Sequence, residues 1–168
     1  MMAPTDNALI KKYDVPGPRY TSYPTVPAWG RMPTEEEWLA SLAQALVEGD
    51  GHGASVYVHV PFCESLCTYC GCTTRITKKK SVGEPYVDAL LTEWQRYREG
   101  LQRHGQTLRL GALHLGGGTP TFLSAGELAR MVEGLCGDDA VAGAELSIEA
   151  DPRVTTDEQL ATLAKLGF

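Results

Sequence analysis

The chain has 168 residues, 43% hydrophobic and 21% charged, with a formal net charge of −6 at neutral pH. This is the composition of a folded, water-compatible protein; it excludes a disordered or fibrous chain, and the acidic balance argues against general nucleic-acid binding. No apolar run approaches the roughly 20 residues of a membrane-spanning helix, and Met1 to Lys12 lacks the charged-then-apolar pattern of a secretory signal.

Six of the ten prolines fall in residues 1–33. The stretch from Pro16 to Pro24 cannot sustain a helix, because each proline lacks a donor and restricts its predecessor. It predicts an extended arm, and Tyr13, Tyr20, Tyr23 and Trp29 predict that the arm packs on the main body. A helix follows from Thr34, where Glu37 completes a capping box; Trp38, Leu39, Leu42, Leu46 and Val47 form its apolar face and Gly49 ends it. Arm and helix make a first region, 1–50.

From residue 51 to 168 the pattern alternates strand, loop and helix. Ser55 to Val60 is a short β-rich run stopped by Pro61. Pro85 suits a helix first turn, and Val87, Leu90, Leu91, Trp94 and Leu101 share a face up to His104. Leu108 to Leu115 is the second strand and Gly116 to Pro120 a loop. Ser124 and Glu127 cap a further helix that Gly134 and Gly137 close. Glu145 to Ala150 is the third strand, turned by Asp151-Pro152, and a short helix runs from Thr156 to Leu166. Three βα units imply a parallel α/β sheet with right-handed crossovers. An open sheet of three such strands leaves an unpaired apolar edge, so the expectation is the first part of a longer (β/α) barrel.

Four of the five cysteines, Cys63, Cys67, Cys70 and Cys72, lie within ten residues; Cys136 stands apart. An odd total without a secretory signal points to metal rather than disulfides. Three thiolates spaced C-x3-C-x2-C suit three irons of a [4Fe–4S] cluster, leaving the fourth iron open to a small molecule. Structural zinc would want a second ligand pair, and only His59 and His114 are loosely placed, at strand positions where each packs beside the sheet. The loop also follows the first strand, at the end where βα barrels keep their chemistry. Spacing and context rank Fe–S above zinc. Cys136 reads as a small core residue, and Lys78, Lys79 and Lys80 as a solvated loop, with a role in steering a polyanionic substrate as the sharper alternative.

The run Val58-His-Val-Pro-Phe-Cys63, the cysteine triplet and Gly71-Cys72 resemble the radical S-adenosylmethionine (SAM) enzymes. Arg19-Tyr-Thr-Ser-Tyr-Pro24, Gly116-Gly-Gly-Thr-Pro120 and Ser147-Ile-Glu-Ala-Asp-Pro152 extend the resemblance, in order, to the oxygen-independent coproporphyrinogen III oxidase family. The likeness covers Tyr13 to Phe168, and makes the chain an N-terminal fragment. It implies the N-terminal part of a partial TIM-like (β/α) barrel, with Cys63, Cys67 and Cys70 as cluster ligands. Tyr57, Tyr69 and Glu149 would contact SAM through its body, adenine and ribose; Gly117 would lie against the first SAM, Gly118 and Thr119 near a second. Cys72, beyond the three ligands, would do hydrogen-bonding or redox work near substrate.

The resemblance further implies an oxidoreductase of haem biosynthesis. A 5′-deoxyadenosyl radical would attack two propionates of coproporphyrinogen III, which become vinyl groups of protoporphyrinogen IX. An unidentified low-potential electron donor, a cytoplasmic location and a monomeric state go with it. The haem chaperones of the same superfamily are the nearest alternative; Cys72 and the Pro-rich arm speak against them. A zinc-binding structural module and an inactive iron–sulfur-binding fragment are the others.

Overall fold

The computed structural model describes residues 11–14, 28–49, 51–137 and 139–168. The arm expected over Pro16 to Pro24, and its packing through Tyr20 and Tyr23, lie outside them. The chain divides into two compact units, Met1–Thr34 and Glu35–Phe168, and every candidate site residue belongs to the second.

The second unit opens with α1 (Glu35–Glu48), then β1 (Ala54–Val60). Two short strands, β2 (Phe62–Cys63) and β3 (Arg75–Ile76), bracket the cysteine loop, and α2 runs from Gly83 to Arg103. After it come β4 (Leu110–Gly117), α3 (Ala125–Cys136), β5 (Ala140–Ile148) and α4 (Asp157–Lys165). The main sheet has the order β1-β4-β5 and is parallel throughout, as the alternating pattern predicts.

Period-2 alternation gives this sheet two unlike faces. Val58 and Val60 of β1 and Leu113 and Leu115 of β4 are buried, and they join Val87, Trp94 and Leu101 of α2 and Leu128, Met131 and Leu135 of α3 in one core. The intervening residues, Tyr57, His59, His114 and Ser147, fall on the other face and collect at one end of it. In α1 only Leu39 and Ala43 are buried; Trp38 and Val47, expected on the apolar face, are exposed.

Several boundaries differ from expectation: β4 begins at Leu110 rather than Leu108, and β5 ends at Ile148 rather than Ala150. β4 continues through Gly116 and Gly117, which pair with His59 and Val60. β5 starts at Ala140 rather than Glu145, because its register shifts against β4 and Gly143 takes a positive φ of 81° at the irregularity. Helix α3 passes through Gly134 and stops only at Gly137, whose amide caps the Glu133 carbonyl. A Cβ at Gly134 would stand 2.5 Å from Leu91 Cδ2, so this glycine lets α2 and α3 approach closely.

Candidate functional site

The cysteine loop is clasped at its base. The Pro61 carbonyl accepts from the Arg75 amide at 2.6 Å and the Cys63 carbonyl from the Thr77 amide at 2.8 Å, around the paired residues Phe62–Arg75 and Cys63–Ile76. His59 adds a third tie: its Nε2 lies 2.7 Å from the Thr73 carbonyl and its Nδ1 3.1 Å from the Tyr57 hydroxyl. A fourth comes from Lys80, which pairs with Glu64 at 2.8 Å, donates to the Phe122 carbonyl at 3.2 Å and sits 4.1 Å over the Phe122 ring. Lys80 therefore departs from the solvated default read for the lysine run; it bridges the loop to the turn beyond β4.

The loop forms one wall of a cleft of about 940 Å³. Cys63, Cys67, Cys70 and Cys72 all line it, with Tyr69, Lys78, Gly117 to Thr119 and Glu149 to Val154 completing the walls. None of the cysteines is in a disulfide; Cys63, Cys67 and Cys70 are half-buried and Cys72 is exposed. The Cys72 thiol is pushed up, first by the neighbouring Cys70 and then by burial, a hydrogen bond with Cys70, Glu149 and Cys63. Cys136 is half-buried on α3, and burial raises its thiol, in keeping with a packing role.

The opposite wall is a glycine shelf. Gly118 donates to the Val60 carbonyl at 2.8 Å and Thr119 to that of Phe62 at 2.9 Å, which lays the shelf along the root of the cysteine loop. Gly117 has φ 108°, and a Cβ there would lie 2.8 Å from His59 Nδ1; conformation and space both demand glycine. A Cβ at Gly118 would stand 2.9 Å from Cys63 Sγ, and Thr119 Oγ1 lies 3.3 Å from the same sulfur. Such a cradle, with soft thiolates on one side and bare backbone on the other, fits a cluster plus a small ligand held by main-chain groups. Among the described residues no three His, Cys, Asp or Glu side chains close around a point small enough for one metal ion.

Glu149 follows β5 and keeps the ladder going through its amide to the Leu115 carbonyl at 2.9 Å. Its carboxylate accepts from the Gly117 amide at 3.1 Å and lies 3.7 Å from His114 Nε2. His114 is held at 2.7 Å by Ser147 Oγ and stacks under Tyr57, ring centroids 5.8 Å apart. Burial, then Glu149 and Cys72, raise the Tyr57 phenol. Tyr57, Glu149 and the shelf thus meet in one patch, whereas Tyr69 stands 90% exposed at the rim.

Residues 57–168 match the Radical SAM superfamily. The chain belongs to that superfamily. Superfamily members use a [4Fe–4S] cluster and SAM, and the two ligands suit this cradle of thiols and bare backbone. The chain is 38% identical over 148 residues to the oxygen-independent coproporphyrinogen III oxidase of Mannheimia haemolytica, covering 88% of this chain and 96% of the relative. That likeness places it in the oxygen-independent coproporphyrinogen III oxidase family. It is 37% identical to the enzyme of the same name from Pseudomonas aeruginosa, over 97% of this chain and 35% of the relative. The solved coproporphyrinogen III oxidase of Escherichia coli, a radical SAM enzyme, superposes with a TM-score of 0.76 and 32% identity, covering 96% of this chain and 34% of that one. The chain thus spans about a third of the length of these longer relatives.

Sequence reasoning missed the part that five residues play in shaping the site. His59 and His114, read as packing beside the sheet, hold Tyr57, Thr73 and Glu149 in place. Tyr86 of α2 donates to the His59 carbonyl at 2.9 Å, and burial pushes its phenol up to about 12. Asp151 and Arg153, beyond the expected turn, form a fork against the cleft. His59 stands in a His-x-Pro context and Asp151 in an Asp-Pro turn, whereas Tyr86, His114 and Arg153 left no comparable signal.

Tyr86→Phe is expected to cost about 1 kcal/mol, the usual net worth of one neutral hydrogen bond. The variant also loses a limb of pH dependence. The folded phenol titrates at about 12 against an ordinary 10.0, so its contribution is full below the ordinary value and fades as pH rises toward about 12. Denaturant titrations of both proteins across that range check it.

Proposed function

We propose that this chain carries the cluster-binding and SAM-binding part of an oxygen-independent coproporphyrinogen III oxidase, an oxidoreductase of haem biosynthesis. The whole enzyme converts two propionates of coproporphyrinogen III to vinyl groups, giving protoporphyrinogen IX. The observation that carries the reading is the juxtaposition of three unpaired thiols with a glycine shelf across one cleft.

In this reading Cys63, Cys67 and Cys70 hold three irons of the cluster. Bound together, cluster and SAM supply the one-electron chemistry that yields a hydrogen-abstracting radical. The chain's own groups then orient and shield. Gly117 and Gly118 present bare main chain to the ligand. Glu149, already accepting from Gly117, offers its second oxygen to the hydroxyls of a ribose. Tyr57 covers the sheet floor, and Tyr69 brings an exposed ring to the rim for stacking on adenine. Thr119 serves a second SAM. Cys72, exposed in the cleft beside the ligand set, is placed to exchange hydrogen with substrate. No helix among the described residues is long and apolar enough to cross a membrane; we place the enzyme in the cytoplasm as a monomer served by a low-potential electron donor.

Anaerobic reconstitution with iron and sulfide tests the reading. The expected product has a broad blue absorption band, labile sulfide matching iron, and cleavage of SAM after reduction. With coproporphyrinogen III and the full length of the enzyme, protoporphyrinogen IX is formed. Zinc without labile sulfide would sink the proposal, and tight haem binding without turnover would move the protein to the chaperones.

A further inference from the structure

Arg153 lies in the turn beyond the last strand of the sheet, and nothing in the proposed chemistry uses it. Asp151 grips it through four contacts: Oδ1 accepts from the Arg153 amide and Nε, both at 3.0 Å, and Oδ2 accepts from Nη2 at 2.7 Å and from Nε at 3.2 Å. An arginine side chain in water samples many rotamers; this one is pinned by a planar fork at its own turn. Pro152 between the two stiffens that turn. Held in this fork, Nη2 lies 4.0 Å from Cys67 Sγ.

We propose that Arg153, aimed by Asp151, donates to the Cys67 thiolate and raises the reduction potential of the cluster. This rests on the reading of Cys67 as a cluster ligand. Reduction adds one electron from the donor and breaks no bond, and the added negative charge spreads onto the sulfurs. A donor or positive dipole at a ligand sulfur stabilises the reduced form more than the oxidised form, and hydrogen bonds to sulfur are a recognised control of cluster potential.

The geometry favours a local effect over a general one. The carboxylate of Asp151 neutralises the cation at a distance, so the cluster feels the near end of a fixed dipole with its positive pole toward one sulfur. The other ligands lack this. Cys63 has the neutral Thr119 hydroxyl at 3.3 Å, and Cys70 interacts with the neighbouring Cys72 thiol. Among the described residues Cys67 alone has a cationic hydrogen-bond donor. Arg153 is a positioning and tuning residue, since it acts through the ligand rather than on substrate.

The test is a potentiometric titration of the reconstituted holoprotein, followed by the electron-spin signal of the reduced cluster. Arg153→Met and Arg153→Gln remove the charge at a side chain that is 67% exposed, where the fold tolerates change. Both variants are expected to keep full iron and sulfide. At the wild-type midpoint the ratio of reduced to oxidised cluster falls about tenfold, equal to a downward shift of about 59 mV for one electron. Full cluster content with an unshifted midpoint in the variants overturns the proposal. So does loss of the cluster from both variants with wild-type circular dichroism, which would make Arg153 a structural tie. A wild-type protein that takes up no cluster sinks the functional reading and this inference with it.

Discussion

Serine in place of any one of Cys63, Cys67 or Cys70 is expected to abolish the blue absorption band, while Cys72→Ser and Cys136→Ser keep it. Removing an outer-shell partner of a metal ligand already costs ~10–100-fold in affinity. Loss of one of three thiolates, with no other thiolate able to take its place, costs more. Cys72, the one other cysteine lining the cleft, is exposed and lies outside the C-x3-C-x2-C triplet. The fold itself survives these changes. The buried core runs through Val60, Leu113, Leu115, Leu128 and Met131, and none of the cluster-loop cysteines belongs to it. Iron and labile-sulfide analysis after reconstitution, beside a thermal melt, gives both readouts. Full iron in Cys67→Ser would remove Cys67 from the ligand set, and with it the three-thiolate reading.

The same distinction between loop and core explains what the sequence revealed. Strands β1 and β4 were legible because their burial alternates, and helix α3 because Ser124 with Glu127 forms the expected capping box; the matching box of Thr156 with Gln159 on α4 emerges only in the structure. The start of β5 was hidden by Ala142, Gly143 and Ala144, small residues that read as loop until a partner strand shows their register. β2 and β3 are two residues each, too short for any period to register. The cysteines announced themselves by spacing alone. Their supports did not, because each support is a contact across a long stretch of chain. Lys80 reaches Phe122, Tyr86 reaches His59 and Arg153 reaches Cys67. Gln159 shows the point most fully. It completes the α4 capping box with Thr156, and its amide also donates to the carbonyls of Thr121 and Leu123 at 2.8 and 2.6 Å, anchoring the turn beyond the glycine shelf. The first role is local to the helix start; only the fold supplies the second.

The shelf is where a single methyl group should do the most damage. At Gly118 a Cβ would meet the Phe62 carbonyl oxygen at 2.9 Å and the Pro61 carbonyl carbon at 3.0 Å, as well as Cys63 Sγ at 2.9 Å. Two of these are backbone and cannot rotate aside, so Gly118→Ala must lift the shelf from the root of the cysteine loop. Overpacking costs ~1–3 kcal/mol. The hydrogen bonds from Gly118 to Val60 and from Thr119 to Phe62 stretch with it, at about 1 kcal/mol each. A total of about 3–5 kcal/mol lowers the melting temperature by roughly 10–15 °C in a chain of this size. The displaced Cys63 should also lower the cluster content on reconstitution. Gly126→Ala is the matched control. It lies in the first turn of α3 with nothing within 4 Å of its Cβ position. Relief of glycine's helix penalty there is worth up to about 1 kcal/mol, so this variant should melt at or above the wild-type temperature. Equal melts for the two variants would mean that the shelf is free to move, and that Gly118 is not held against the cysteine loop by contact.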